Sequence, residues 1–328
     1  MKSVYAKDVA NKVGDVVKEK FLVTKAILNV AKDGKEWVSC LLNDVTGKVH
    51  GKIWAENMAP GRDYSALVGK ICEVEAYVDM YDGEASFVIR NISECKEYEN
   101  LDFCAGLTEE QQTEYLKKIK GYINMISDDS IKSLVSGIFD CFGNMFLSLP
   151  AGRSIHHAFN GALMVHTLEV TDIAYAMYCV DTDYSKPYTI PLDRDLVIAG
   201  ALLHDVGKIA EYKSFPSTER TLRGCLIGHL TEGIKCINAM NNRLGNDRVC
   251  QEKMNFLEHI ILSSHGGEGG GCKPMIKEAV IVKNADMMSA EADAFDTCFK
   301  EWDEKHIGND DLRVWSKTMD TYVIRRRN

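Results

Sequence analysis

The sequence lacks paired cysteines and long apolar runs. Its 11 cysteines are scattered singly between Cys40 and Cys298 with no CxxC spacing, which argues against a disulfide framework or a structural zinc knuckle and favours reduced thiols. No uninterrupted apolar stretch approaches the roughly 20 residues that span a bilayer. The N-terminus has neither the apolar segment nor the cleavage pattern of a signal peptide. We therefore expect a cytoplasmic protein that does not contact a membrane.

The sequence also lacks an excess of basic residues. Its 39 lysines and arginines are outnumbered by 48 aspartates and glutamates, which gives a formal net charge of −9. Because phosphate binding needs clustered lysine and arginine, this balance argues against a broad surface that coats nucleic acid. Any contact with RNA or DNA must come from a local patch.

Two halves with different periodicity divide the 328 residues, in line with the length expected for about two domains. Residues 20–92 contain five short segments rich in β-branched and aromatic residues and separated by turn signals, which predicts five strands. The connection after the third segment, residues 56–69, is longer than the others. Five strands with an insertion after the third indicate a five-stranded OB barrel.

The pattern becomes helical from Leu107 onward. Thr108 followed by Gln111 predicts a capping box at the start of the first helix. We therefore expect a multidomain chain with an all-β OB-fold nucleic-acid-binding domain over 1–95, a polar linker over 96–106 and an all-α domain over 107–328.

The outer face of the predicted barrel is a candidate nucleic-acid interface, since such barrels bind single strands with aromatic platforms and a basic groove. Six residues could contribute to it: Trp54, His50, Lys52, Tyr77, Phe87 and Arg90. The alternative for each aromatic side chain is that it fills the barrel, and that alternative stays open at this point.

Ionisable residues recur inside the apolar helical segments that follow residue 150. They are His166, His204, Asp205, His229, His259, His265 and Asp286. Burying them separately would be costly, so a shared metal ion is the simplest explanation. Imidazole and carboxylate ligands without ordered thiolates suit Mn²⁺, Mg²⁺, Fe²⁺ or catalytic Zn²⁺ rather than a cysteine-rich structural zinc site.

The stretch ALLHDVGKIAEY (201–212) concentrates this chemistry. Successive helical residues lie about 100° apart, so His204 and Asp205 can both lean toward one centre. Lys208 lies four residues after His204 on the same predicted face. Its ammonium group could neutralise a substrate phosphate oxygen, and Gly207 would allow a close approach to the helix.

The H…HD…D pattern and the HDVGK core resemble the HD superfamily of metal-dependent phosphohydrolases. The segments 150–170, 201–212, 221–230 and 257–267 are similar to those of the YhaM-type 3′–5′ exoribonucleases, and GKVHGKIWA (47–55) lies where that family carries its nucleic-acid-binding barrel. The resemblance covers roughly residues 15–295 and implies that the all-α half is an HD-type domain.

The resemblance implies a role for each matching residue. His166, His204, Asp205 and Asp286 would hold a first metal, and Asp205 would bridge to a second one completed by His229 and His265. Asp205 and Lys208 would be the catalytic pair, with Lys208 on the scissile phosphate. Arg153, His156 and His157 would line the substrate entrance, or alternatively form a hydrogen-bonded helix start. Trp54, Lys52 and Phe87 would bind the strand.

Two positions depart from the pattern of that family. Ser264 stands where the family often has another histidine, and Ser289 stands where it often has a second aspartate. His259 could partly substitute for the missing ligand. One or two divalent ions are therefore expected, with Mn²⁺ favoured and Mg²⁺, Fe²⁺, Ni²⁺ or Zn²⁺ as alternatives.

The implied function is a 3′–5′ exonuclease that releases nucleoside 5′-monophosphates from single-stranded RNA, which is preferred, or from single-stranded DNA. Two alternatives stay open: a hydrolase of a small nucleotide, and a nucleic-acid-binding protein with a vestigial metal site. The sequence indicates no oligomeric state, and a homo-oligomer is left open.

Overall fold

The computed structural model describes residues 2–152, 159–216, 219–267, 270–306 and 311–326, without the side chains of Glu304 and Lys305. The chain forms two compact units: residues 1–106 together with the short segment 215–217, and the remaining residues from 107 on. Within the described ranges, no helix combines the length and the apolar character needed to cross a membrane.

The first unit is a closed five-stranded barrel, as predicted. Its strands are β1 (Val16–Val30), β2 (Glu36–Asp44), β3 (Gly47–Ile53), β4 (Ile71–Tyr81) and β5 (Glu84–Glu94). They close in the order β1-β2-β3-β5-β4, and β3 and β5 pair in parallel while the other neighbours are antiparallel. The insertion after β3 contains two 3₁₀ turns, Ala55–Asn57 and Tyr64–Leu67.

The barrel interior is filled by alternate residues of each strand, since successive side chains of a strand point to opposite faces. Phe87 is one of them: it is 1% exposed and packs edge-on against Phe21, with ring centroids 5.4 Å apart. Phe87 lies in register with Gly51 of β3, where an added Cβ would come within 2.7 Å of the buried Ile89 side chain. The prediction that Phe87 binds substrate is therefore wrong, because its ring belongs to the core.

Residues 96–106, expected to be a linker, belong to the barrel unit. Asp102 accepts a hydrogen bond from the Tyr5 hydroxyl at 2.7 Å, and its carbonyl accepts one from the Val45 N–H. Phe103 is buried. Polar composition suggested a free connection, but these contacts tie the segment to the barrel.

The second unit is mainly helical. Its helices are α1 (Glu109–Met125), α2 (Asp129–Phe146), α3 (Ala162–Asp183), α4 (Arg194–Leu203), α5 (Lys208–Glu211), α6 (Leu222–Leu226), α7 (His229–Arg243), α8 (Gln251–Ser263) and α9 (Lys277–Lys305). The predicted capping box of Thr108 and Gln111 begins α1. Every residue from Asp195 to Leu203 in α4 is buried, and α3 packs against both α4 and α9. These three helices form the frame of the candidate site.

A short hairpin near the C-terminus departs from the all-α expectation. Strands β6 (Arg313–Ser316) and β7 (Thr321–Ile324) pair antiparallel, and Val314 and Val323 pack with Phe299 of α9. Arg325, just after β7, pairs with Asp303 of α9 at 2.6 Å. Four-residue strands are too short to give a clear alternation signal in the sequence.

Candidate metal centre

The HD pair lies in a tight turn rather than on a continuous helix. α4 ends at Leu203, and α5 begins only at Lys208. Gly207 lies in this turn, and a Cβ added there would come within 1.9 Å of the His229 carbonyl oxygen. The close approach predicted for Gly207 is therefore that of the α7 backbone, which brings His229, the first residue of α7, beside Asp205.

One cluster of ligand-type atoms comes from α3, α9 and the turn. His166 Nε2 lies 3.1 Å from Asp286 Oδ1 and 3.3 Å from His204 Nε2. Asp205 Oδ2 lies 3.4 Å from each of these two imidazole nitrogens. All four side chains are buried, so four ionisable groups share one small space in the interior.

A second cluster lies on the other side of Asp205. His229 Nε2 is 3.6 Å from Asp205 Oδ1 and 2.9 Å from His265 Nε2. Ligand atoms of these three residues lie within 4.8 Å of one another, as do those of His166, His204 and Asp286 in the first cluster. Asp205 thus turns one oxygen toward each cluster, which is the geometry of a bridging carboxylate.

The outer nitrogen of each of three imidazoles faces an oxygen atom. His204 Nδ1 donates to the Ala201 carbonyl at 2.8 Å, and His229 Nδ1 lies 2.8 Å from Glu211 Oε2. His166 Nδ1 lies 3.0 Å from Ser289 Oγ. A carbonyl or carboxylate oxygen only accepts, so His204 and His229 carry their proton on Nδ1 and direct an Nε2 lone pair inward.

The residues present fit a divalent ion. Ligand atoms about 2.1 Å from a common ion lie about 3 to 3.5 Å from one another, close to the separations in the first cluster. The Nε2 atoms of His166 and His204 face each other, as do those of His229 and His265. Without a cation, the lone pairs of each pair would repel or the two atoms would share a proton. Orientation of each Nδ1 by an outer partner is also typical of metal-ligating histidines. Imidazole and carboxylate ligands together suit Mn²⁺, Fe²⁺ or Zn²⁺.

Lys208 provides the positive charge closest to the carboxylates. Its Nζ lies 2.6 Å from Asp205 Oδ2. Burial opposes ionisation of Asp205, but Lys208 and His204 hold the pKa of this carboxyl well below its usual range. Burial would lower the pKa of Lys208, and Asp205 raises it above the ordinary value. The pair is therefore charged in the interior.

Metal affinity should rise with pH, because a proton occupies the first cluster when no ion is bound. Burial alone would lower the pKa of His166, but its hydrogen bonds to Asp205 and Asp286 raise it to about 9. This proton must leave for Nε2 to bind a metal, so affinity should increase roughly tenfold per pH unit up to about pH 9. Competition with a chromophoric chelator at pH 7, 8 and 9 would measure this slope.

The raised pKa of His166 also makes the stability of the metal-free protein depend on pH. The folded protein binds the His166 proton more tightly than the unfolded chain, whose pKa is about 6.5. The resulting stabilisation is complete below pH 6.5 and is lost as the pH rises through about 9. The melting temperature of the metal-free chain should therefore fall as the pH is raised from 6.5 to 9. A metal affinity that is flat from pH 7 to 9 would contradict the assignment of this proton.

A cavity of about 360 Å³ opens onto the clusters. His166, His265, Lys208 and Asp286 line it, together with Lys283 of α9, which the sequence had not singled out. Lys283 is one turn before Met287 on α9, and its Nζ lies 3.8 Å from Met287 Sδ. Two lysines therefore line the cavity, an arrangement suited to an anionic ligand.

His259 does not join either cluster. Its Nε2 accepts a hydrogen bond from the Met275 N–H at 2.8 Å, and its Nδ1 lies 3.6 Å from Cys272 Sγ. Burial lowers the pKa of His259, in keeping with a neutral ring whose Nε2 accepts a hydrogen bond. The prediction of His259 as a substitute ligand is wrong, because its ring holds the segment after α8 in place.

The outer face of the barrel carries an aromatic cluster around a lysine, the Trp37–Lys52–Trp54–Tyr81 cluster. The rings of Trp37 and Trp54 lie 5.5 Å apart, and Lys52 Nζ lies 3.1 Å from the centre of the Tyr81 ring. Neither Trp37 nor Tyr81 was among the residues predicted to bind nucleic acid. Side chains of a strand alternate between its two faces, so the apolar Val38 next to Trp37 was the sequence signal that Trp37 faces outward.

The remaining predicted residues are placed as follows. His50 and Arg90 are exposed on β3 and β5, and Tyr77 is half-buried on β4. Arg153, His156 and His157 lie outside the described residues, so their role at the substrate entrance stays a prediction. Glu211, which holds His229, was missed although it lies within the quoted HD stretch.

Residues 163–291 match the HD domain family, a superfamily of metal-dependent phosphohydrolases. The match covers less than half of the chain, but it contains all six residues of the two clusters. Residues 100–212 match a second family, described as "Putative helicase". The chain thus combines a five-stranded barrel with a helical unit that carries an HD domain.

Two solved structures show weak similarity. The second OB-fold domain of replication protein A from Methanococcus maripaludis is 22% identical over 26% of this chain and 88% of that chain, with a TM-score of 0.19. Aspartyl tRNA synthetase from Entamoeba histolytica is 8% identical over 58% of this chain and 39% of that chain, with a TM-score of 0.22. Scores this low support no conclusion about function.

Proposed function

We propose that this chain is a metal-dependent 3′–5′ exonuclease of the YhaM type, which releases nucleoside 5′-monophosphates from single-stranded RNA. The observation that carries the proposal is the convergence of His166, His204 and Asp286 on one side of Asp205, and of His229 and His265 on the other. A divalent ion bound there would polarise a phosphodiester and lower the pKa of an attacking water.

The side chains of the cavity would hold the terminal phosphodiester of the strand. Lys208 and Lys283 line the cavity, and both ammonium groups can bind nonbridging phosphate oxygens. Lys208 is fixed by its ion pair with Asp205, so its charge is already positioned before substrate arrives. A cavity of about 360 Å³ is of the size of a small-molecule site and suits one terminal nucleotide rather than a duplex.

The aromatic cluster of the barrel supports nucleic acid as the substrate. Bases stack on exposed aromatic rings whatever their sequence, and a lysine among them neutralises the backbone. The Trp37–Lys52–Trp54–Tyr81 cluster has this composition. It also agrees with the net charge of −9, because the basic character is confined to a patch.

The direct test is a trimming assay on single-stranded RNA labelled at its 5′ end. With Mn²⁺, the label should appear in a ladder that shortens from the 3′ end, with nucleoside 5′-monophosphates as the other product, and a chelator should abolish both. A matched mononucleotide ester should be hydrolysed far more slowly than the RNA. Faster turnover of the mononucleotide would favour the small-nucleotide alternative, and an intact RNA would overturn the proposal.

A further inference from the structure

Ser289 lies on the outer side of the His166 ring, opposite the metal cluster. Asp286 and Ser289 are three residues apart on α9, so both face α3. Asp286 Oδ1 lies 3.1 Å from His166 Nε2, and Ser289 Oγ lies 3.0 Å from His166 Nδ1. The ring is therefore held on both nitrogens by one face of one helix.

The hydroxyl of Ser289 also reaches a carboxylate. Ser289 Oγ donates to Glu169 Oε2 at 2.8 Å, and Ser289 is 3% exposed. Glu169 lies three residues after His166 on α3, so both ends of the chain of hydrogen bonds come from the same helix. Two consecutive hydrogen bonds therefore link Glu169 to Ser289 and Ser289 to His166.

The direction of these hydrogen bonds follows from the donors available. A serine hydroxyl has one proton, and an ionised carboxylate can only accept. Because the Ser289 proton goes to Glu169, its lone pair faces His166 Nδ1, which must then carry a proton. With Nδ1 protonated, the lone pair of the metal-binding imidazole lies on Nε2.

We propose that Ser289 and Glu169 are positioning residues that hold His166 in the Nδ1–H form, with Nε2 directed at the metal. The inference rests on the metal site of the proposed function. It gives a physical role to the serine that stands where the family resembled in sequence often has a second aspartate. The carboxylate is still present, but it comes from α3 and acts through one intervening hydroxyl.

Replacing Ser289 by alanine tests this role through metal affinity. Loss of an orienting partner typically lowers metal affinity about 10- to 100-fold, so Ser289→Ala should weaken Zn²⁺ and Mn²⁺ binding by that factor in a chelator competition. Ser289→Thr keeps the hydroxyl and should restore most of the affinity. Glu169→Gln should cause a smaller loss, because a neutral amide is a weaker acceptor than a carboxylate.

A second readout separates positioning from general damage to the fold. In the Zn²⁺-loaded chain, the His166 Nδ1–H should give a ¹⁵N-correlated proton signal in slow exchange with water, and Ser289→Ala should broaden or lose it. Thr171→Val is the matched control. Thr171 is buried on α3, and its hydroxyl donates to the Thr167 carbonyl at 2.7 Å, so its loss should leave metal affinity unchanged.

The outcomes distinguish this inference from the function on which it rests. A wild-type chain that takes up no metal would overturn the metal site and the positioning role together. A wild-type chain that binds metal, with Ser289→Ala binding equally well and showing an unchanged His166 signal, would overturn only the positioning role.

Discussion

Replacing Asp205 by asparagine should abolish metal-dependent trimming of single-stranded RNA. Asp205 turns Oδ1 toward His229 and Oδ2 toward His166 and His204, so a neutral amide at this position removes a negative ligand from both clusters. A catalytic metal stabilises the transition state by several kcal/mol, and we expect the rate to fall at least about 1,000-fold. Initial rates on 5′-labelled RNA at saturating Mn²⁺ would measure the loss.

The control for this variant is Asp247→Asn, which neutralises an exposed aspartate of the same unit and should leave the rate unchanged. Asp205→Asn also leaves the buried Lys208 without its partner at 2.6 Å, and such a change can destabilise a fold strongly. Thermal unfolding should therefore accompany the assay. Retained trimming by a folded Asp205→Asn chain would contradict the assignment of the site.

A second variant keeps the test informative if Asp205→Asn unfolds. The His265 side chain is 34% exposed, so His265→Gln should perturb folding little. It removes a ligand-type nitrogen from the second cluster only. A large loss of rate with one metal still bound would indicate a two-metal site, and an unchanged rate would indicate that the first cluster suffices.

Replacing both Trp37 and Trp54 by alanine should weaken binding of a single-stranded oligonucleotide about 10- to 100-fold. Stacking of one base on an aromatic ring contributes about 1–3 kcal/mol, and these two rings lie side by side, 5.5 Å apart. Fluorescence anisotropy of a labelled oligonucleotide would give the affinity. Hydrolysis of a mononucleotide ester should be unaffected, because neither ring belongs to the helical unit.

Two further variants define the source of this affinity. Lys52→Gln should reduce the slope of log affinity against log salt concentration by about 0.7, the value for one phosphate contact on a single strand. Val45→Ala is the control and should leave the affinity unchanged. Val45 is an exposed apolar residue in the turn after β2, at the end of the strand away from Trp37. Equal affinities for the double tryptophan variant and the wild type would exclude this face as the binding platform.

Local signals were sufficient for the architecture. Alternation in five segments predicted the barrel, and a capping box predicted the start of α1 at the correct residue. The position of each ionisable residue in an apolar segment predicted burial of His166, His204, Asp205 and Asp286, which the structure shows. Short-range patterns work here because strand and helix periods are properties of neighbouring residues.

Other features depend on partners that are distant in the chain. Phe87 is a strand aromatic whose burial depends on closure of the barrel, since its ring packs against Phe21 of another strand. His259 and His265 lie on the same apolar helix and the residues just after it, yet His259 turns toward Met275 and His265 toward His229. A sequence pattern does not distinguish these two histidines.

The sequence by itself determined the chemical inventory: imidazoles and carboxylates placed on apolar helices, a lysine beside the HD pair, and a barrel ahead of them. Tertiary structure decided which atoms meet. The turn at Gly207 places Asp205 between two clusters, and the packing of α3 against α9 joins Glu169 and Ser289 to His166 across 120 residues of sequence. The physical reason is that hydrogen bonds and metal coordination act over about 2 to 3 Å, a distance that only the packing of helices can set.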